Sequence, residues 1–346
     1  MVAGAVGLFR FLCKLQIVIA SGYLIGRTLL PENQWLLFLS NIQAYLLLPS
    51  VISALILLGR KTWLYFPLAL FAYAHAPFSL LSAPEYCLSG KGGELVLRTY
   101  TANLAGSVDR GRDFARLAAE LELDVMVFQE ASPLFLKTEG AALQRELPFA
   151  FYLQSEEGYW TQAIFSRYPL TELQTYDPGP GFSAPDARVI LSAQVDIRHR
   201  KWTILVAHAG IPFVRNRDCR GLHCLIGLYD QRSRDLHLRF MKDLAHGSTD
   251  VVLLGDMNLS DQNPAYSAFV DGLIDAGRCP PLQRTWPADH TFPVPFIRID
   301  YTLLRTESPI VVQARTIPVS GSDHLAVLVE VAASESVSEQ LPQSVR

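Results

Sequence analysis

In the last two thirds of this 346-residue chain, polar residues recur where apolar runs end. In order they are Asn103, Glu130, His208, Asp256 with Asn258, Asp300, and Asp323 with His324. The types suit phosphoryl chemistry. Carboxylate and amide oxygens hold a hard divalent cation, a further carboxylate handles a water, and amide or imidazole N–H groups meet phosphoryl oxygens. The clearest case is VVLLGDMN at 251–258, where a buried apolar run reaches Gly255 and delivers Asp256 and Asn258 together. Each residue also has a plain structural role: Asn103 and Asn258 as turn formers, Glu130 as an acid at a helix start, Asp300 as a partner for Arg298. Eight such residues at successive strand ends are hard to obtain from packing alone.

The elements that must position them follow from the apolar patterning. Strands are expected at 95–103, 124–130, 149–154, 161–166, 188–197, 202–208, 251–256, 296–304, 310–317 and 321–331. Helical spacing is expected at 110–122 with Asp109 as N-cap, and at 134–146, 228–246 and 264–276. Pro178, Gly179, Pro180, Gly181 and Pro185 make 177–187 a loop, and Thr285, Trp286 and Pro287 fall in an irregular Pro-rich stretch. Strand and helix alternate with function at one edge, which is an α/β arrangement.

The short pieces TAN (101–103), FQE (128–130), AIFSR (163–167), VAH (206–208), GDMN (255–258), RIDY (298–301) and SDH (322–324) occur in one order and spacing across about 95–331. In these pieces the chain resembles the endonuclease/exonuclease/phosphatase superfamily of Mg²⁺-dependent phosphoesterases. The resemblance implies a four-layer α/β/β/α sandwich of the DNase I type. It also implies a role for each residue. Glu130 is the main ligand of Mg²⁺, or of Mn²⁺ in its place, with Asn103 and Asp323 beside it. Asp256 orients or deprotonates the attacking water, Asn258 and His208 hold non-bridging phosphate oxygens, and Asp300 fixes the His324 imidazole that contacts the phosphoryl group.

The first quarter of the chain has a different composition. Residues 1–90 hold five of the 30 basic and two of the 33 acidic residues, which leaves 25 and 31, a net of −6, for 91–346. Apolar stretches at 8–30, 35–58 and 62–82 are each about long enough to cross a bilayer. The expected organisation is therefore a three-helix anchor at 1–82, a linker at 83–93, a catalytic domain at 94–332 and a disordered tail at 333–346. A membrane-anchored bacterial branch of the same superfamily is similar in this respect. Arg10 and Lys14, with Arg60 and Lys61, mark the cytoplasmic sides, so the domain is expected to be extracytoplasmic; Arg27, in the intervening outer loop, runs against this order. The first span could also be a cleaved signal peptide.

Beyond the anchor lie Cys87, Cys219, Cys224 and Cys279, an even number whose pairing the sequence leaves open. Cys219 and Cys224 could close a small loop, or bind metal with His223.

Two segments bear on substrate. Arg215, Arg217 and Arg220 follow His208 in a loop suited to a second phosphate or an anionic headgroup, or simply to solvent. Phe182 lies on a loop that could reach lipid or be an ordinary turn. With the domain held at a membrane, the expected substrate is a phospholipid or a lipid-linked phosphate or diphosphate. The rivals are an extracytoplasmic nuclease, which the acidic net charge disfavours, and a non-catalytic phosphate-binding resistance protein.

Overall fold

The computed structural model describes residues 2–57, 83–87, 93–106, 113–153, 161–177, 189–213, 228–281, 283–289 and 294–334. The expected third span, residues 178–187 of the expected loop with Phe182, the three loop arginines, Cys219, His223, Cys224 and nearly all of the tail lie outside these residues.

The chain forms two units. One consists of Met1–Ser82 with Phe213–Asp230 and Ser260–Tyr266, and the other of Ala83–Pro212, Gln231–Leu259 and Ser267–Arg346.

In the first unit, α1 runs over Val2–Leu29 and is long and apolar enough to cross a membrane over Ala5–Leu29. Cys13, Ile17, Ala20 and Leu24, spaced as one face of a helix, turn inward, while Leu8, Phe11, Leu15, Val18 and Ile25 stay exposed. The stretch expected as one straight span at 35–58 is instead two helices, α2 (Gln34–Ser40) and α3 (Gln43–Ile56), bent by 76°. The cause is local. The Asn41 amide donates back to the carbonyls of Leu37 and Phe38 and competes with helix continuation. Segments distant in sequence close around the bend: the Ser260 hydroxyl donates to Asn41 O at 2.7 Å, the Gln43 amide to Gln262 O at 2.6 Å, and Ala44 N to Gln262 Oε1 at 2.7 Å. Phe38 also sits edge-on to Phe213 and Tyr229.

The second unit is a sandwich of two six-stranded mixed sheets flanked by helices, as the family resemblance implied. The strands are β1 (Leu95–Asn103), β2 (Val125–Ala131), β3 (Phe149–Tyr152), β4 (Thr161–Ser166), β5 (Leu170–Tyr176), β6 (Ile190–Ile197), β7 (Arg200–His208), β8 (Val251–Asp256), β9 (Ile274–Asp275), β10 (Asp300–Arg305), β11 (Ile310–Pro318) and β12 (Leu325–Ala333). One sheet has the order β11-β12-β1-β2-β4-β3 and the other β5-β6-β7-β8-β10-β9. Val125, Val127, Ile164 and Val329 from the first sheet meet Val195, Ile204, Val252 and Leu304 from the second in one core. A second core, with Phe128, Phe165 and Leu328, packs the other face of the first sheet against Phe114 and Ala118 of α4 (Phe114–Glu120). A longer helix, α5 (Arg232–His246), buries Leu238, Met241 and Ala245 and lies beside β8.

Several expected boundaries move. Asp113 caps α4, accepting from Arg116 N at 2.8 Å, while the expected cap Asp109 lies outside the described residues. The expected helix at 134–146 is broken into two three-residue helical pieces around a π turn at Leu136–Gly140. Of the expected helix at 264–276 only Ala265–Val270 is helical. The strand expected from 296 starts at Asp300, because Ile297 pairs with Trp286 instead.

Cys87 and Cys279 form a disulfide, with a Cα–Cα distance of 5.1 Å across 192 residues of sequence. It ties the start of this unit to the loop after β9. Cys13, in α1, is a free thiol.

Candidate active site

Two parallel pairings set the site. β1 runs beside β2, and β7 beside β8, so the four strands end on common rims with Asn103 opposite Gln129 and His208 opposite Asp256. Antiparallel β10 begins where β8 ends, placing Asp300 opposite Asp256. The turn before β12 supplies Asp323 and His324.

Backbone irregularities aim the side chains. The β2–β4 register slips between Phe128 and Ala131, and Glu130 within that bulge has φ +52°. Such a bulge turns a side chain away from the alternation of its strand. Gly255 has φ +139°, and a Cβ there would stand 1.9 Å from the Ala207 carbonyl oxygen, so only glycine lets β8 lie this close to β7. Asn258 is left-handed at φ +47°, a conformation asparagine tolerates better than most residues.

All eight residues expected at the site lie within 4 Å of another member of the group. The Asn103 amide donates to Asp256 Oδ2 at 3.0 Å and to Glu130 Oε1 at 3.3 Å. Asp256 Oδ1 accepts the Asn258 backbone N–H at 2.8 Å. The Asn258 amide donates to Ala209 O at 2.8 Å and lies 3.3 Å from His208 Nε2. His208 Nε2 is 3.5 Å from Asp256 Oδ2 and 3.7 Å from Glu130 Oε1. His324 Nδ1 meets Asp300 at 3.0 Å, and its Nε2 faces Asp256 Oδ2 at 3.9 Å and Asp323 Oδ1 at 3.8 Å. The ligand atoms of Asp256, Asp300 and His324 all lie within 4.8 Å of one another.

The electrostatics are those of crowded, dehydrated charge. Burial, then the neighbouring Asp300, push Asp256 up to about 7 against the opposing pull of His324 and the hydrogen bonds from Asn258 and Asn103. Burial also raises Glu130. For His324 burial acts downward, but Asp300, by charge and hydrogen bond, with Asp256 and Asp323, outweighs it and lifts the imidazole to about 10. Two carboxylates raised in this way beside the His324 imidazolium mark, among the described residues, a deficit of positive charge. A divalent cation fits that deficit and the oxygen-rich donor set.

The matched part of the chain decides its family. The family model described as "Endonuclease/Exonuclease/phosphatase family" matches residues 100–324, well over half of the sequence and all eight site residues. The chain belongs to the endonuclease/exonuclease/phosphatase family. Members of this family are metal-dependent phosphoester hydrolases, and this chain is such an enzyme. Similar solved structures are humanized D. rerio TDP2 with 14 mutations (TM-score 0.52, 19% identity, covering 68% of this chain and 99% of that one) and C. elegans TDP2 (0.53, 16%, 71% and 78%). Another is a Staphylococcus aureus beta toxin double mutant with bound magnesium ions (0.50, 14%, 69% and 100%). At these identities the likeness is one of fold. No curated protein sequence matches the chain.

Residue patterning missed the supports of this family site. Thr285, fully buried, accepts from the backbone N–H groups of Ile299 at 3.1 Å and Asp300 at 3.3 Å. Ser322 donates to Asn103 O at 2.7 Å and accepts from His324 N at 3.0 Å. Gln129 and Thr101 bond each other behind the rim. The alternation of β1 and β2, which turns Thr101 and Gln129 inward, was the signal available for the last pair.

Proposed function

We propose that this enzyme is a membrane-anchored, Mg²⁺-dependent phosphoesterase that hydrolyses a phospholipid or a lipid-linked phosphate or diphosphate at the outer face of the membrane. The observation that carries the reading is the Asn103–Glu130–Asp256–His324 cluster on a chain that also holds a membrane-length apolar helix. The Cys87–Cys279 disulfide supports an oxidising, extracytoplasmic setting for residues 94–332, read as the catalytic domain. The net charge of −6 beyond residue 90 supports a lipid over a polynucleotide, because a nuclease needs cations along its phosphate track.

Glu130 is the principal cation ligand, with Asn103 and Asp323 beside it. When bound, Mg²⁺ supplies Lewis-acid polarisation of the phosphoryl group and neutralises its growing charge. Asp256 is the group that accepts a proton from the attacking water. It is held in place by Asn103 on one oxygen and by the Asn258 backbone N–H on the other. The Asn258 amide and the His208 ring, 3.3 Å apart, stabilise non-bridging oxygens. His324, kept as an imidazolium by Asp300, presents Nε2 with its proton toward the reacting group.

The test is hydrolysis by the purified full-length protein in phospholipid vesicles, with separate arms for released headgroup, inorganic phosphate and cleaved single-stranded DNA. Each arm is run with Mg²⁺ and with chelator. Mg²⁺-dependent release from the lipid is expected, together with loss of at least about a hundredfold in Glu130→Gln. Cleavage of DNA with the lipid untouched overturns the lipid assignment. Inertness in every arm, with Mg²⁺ still bound, favours a phosphate-binding role instead.

A further inference from the structure

Thr285, Trp286 and Pro287 have no part in the chemistry above, yet the segment bridges the two loops that bear its acids. On one side, Thr285 N and Trp286 N donate to Ile297 O at 2.9 and 3.1 Å, Ile297 N donates to Trp286 O at 3.0 Å, and the Thr285 hydroxyl takes the N–H groups that lead into Asp300. On the other side, Leu325 N donates to Thr285 O at 2.8 Å and Ala288 N to Asp323 O at 2.7 Å. Across this clasp the Trp286 indole N–H donates to Asp323 Oδ2 at 3.0 Å.

That bond divides the two oxygens of Asp323. Oδ2 is held by the indole, while Oδ1 lies 3.8 Å from His324 Nε2, on the side of the buried cluster. Asp323 is the most open of the site acids, with its side chain 40% exposed, so its rotamer is the least constrained by packing. An exposed carboxylate without a second partner samples several orientations and loses entropy when it binds a cation. A fixed donor on the distal oxygen removes much of that loss, as outer hydrogen bonds do for metal ligands generally.

We propose that Trp286 is a positioning residue: its indole N–H fixes Asp323 so that Oδ1 stays turned toward the divalent cation. The inference rests on the proposed reading of Asp323 as a cation ligand. It assigns to the indole nitrogen, rather than to the ring's bulk, a share of the metal affinity.

The experiment is Mn²⁺ binding to the full-length protein in vesicles, read by the electron paramagnetic resonance signal of the free ion, with melting temperature followed in chelator. Trp286→Phe keeps the aromatic bulk and removes the donor. It is expected to weaken Mn²⁺ binding about 10-fold with little change in melting. In an Asp323→Ala background the same substitution is expected to add nothing, since its effect passes through that carboxylate. Native-like affinity in folded Trp286→Phe, or a full additive loss in Asp323→Ala, overturns the proposal. Absence of Mn²⁺ binding by the native chain overturns the metal-dependent reading and this inference with it. If Trp286→Phe does not fold, indole N–H resonances decide. One of them is expected to move on Mg²⁺ addition to the native chain and to be unresponsive in Asp323→Ala, and a native spectrum with no responding indole sinks the idea.

Discussion

Asp256, Asp300 and His324 are each no more than 6% exposed, and their mutual charge makes the cation-free protein sensitive to pH in a determined direction. His324 is raised from 6.5 to about 10, so its contribution to stability is complete below about 6.5 and disappears as pH rises through about 10. Asp256 is raised from 3.8 to about 7, so its ionisation costs stability as pH climbs from about 4 through 7. Both slopes have the same sign. Denaturant unfolding in chelator is expected to show stability falling from pH 5 to pH 10. Asp300→Asn is expected to flatten the alkaline part, because the partner that raises His324 is gone. A stability that increases between pH 7 and 10 in the native chain contradicts this account. Bound cation is expected to reverse the acidic slope, since it stabilises ionised Asp256 and must compete with a proton below about pH 7. These residues were legible as polar punctuation at strand ends, an arrangement set by chemistry. Thr285 and Trp286 were not, because their function is a hydrogen bond to a partner 14 to 37 positions away, which no local pattern encodes.

At the level of elements, apolar patterning located the strands well, by alternation in β1 and by a continuous buried run in β8. It failed where a single side chain redirects the backbone. Asn41 divides an apolar run that hydropathy reads as continuous, and α4 takes its cap from Asp113, with Asp113→Ala expected to cost about 1 kcal/mol. The bulge at Glu130 and the left-handed Asn258 are likewise invisible to a period-two pattern, yet they decide where the ligands point. Gly255 is the sharpest case. Gly255→Ala sets a methyl group 1.9 Å from the Ala207 carbonyl oxygen at a φ that alanine resists, so β7 and β8 must separate where His208 and Asp256 face each other. The expected cost is at least about 2 kcal/mol in denaturant unfolding, with activity lost more steeply than stability. An alanine variant of native stability and turnover shows that the rim tolerates a wider spacing of these strands.

For the whole molecule, the two units do not divide along the sequence, and that was the least legible property of all. Charge and hydropathy separate 1–82 from the remainder, whereas the helical unit also takes in Phe213–Asp230 and Ser260–Tyr266. Local composition gives no sign that the Asn41 amide lies 2.9 Å from the Tyr229 hydroxyl, or that the Asn263 amide reaches Asn41 Oδ1 at 3.0 Å. The first apolar segment is therefore structural for two stretches far along the chain. A chain beginning at Ala83 keeps the Cys87–Cys279 disulfide and both sheets but strips Ser260, Gln262, Asn263, Phe213 and Tyr229 of these partners. Each polar contact contributes about 1 kcal/mol and each aromatic contact about as much, so the loss is concentrated at the loops while the sandwich core is unchanged. Hydrogen exchange is expected to show amides at 260–266 opening at least about tenfold faster in the shortened chain, with 251–256 in β8 still protected. Equal protection of 260–266 in the two chains means that the helices do not hold the loop. Because Ser260 follows Asn258 by two residues, loosening at 260–266 is also expected to lower turnover of any substrate through Asn258, most visibly as a fall in kcat on a soluble diester that needs no membrane.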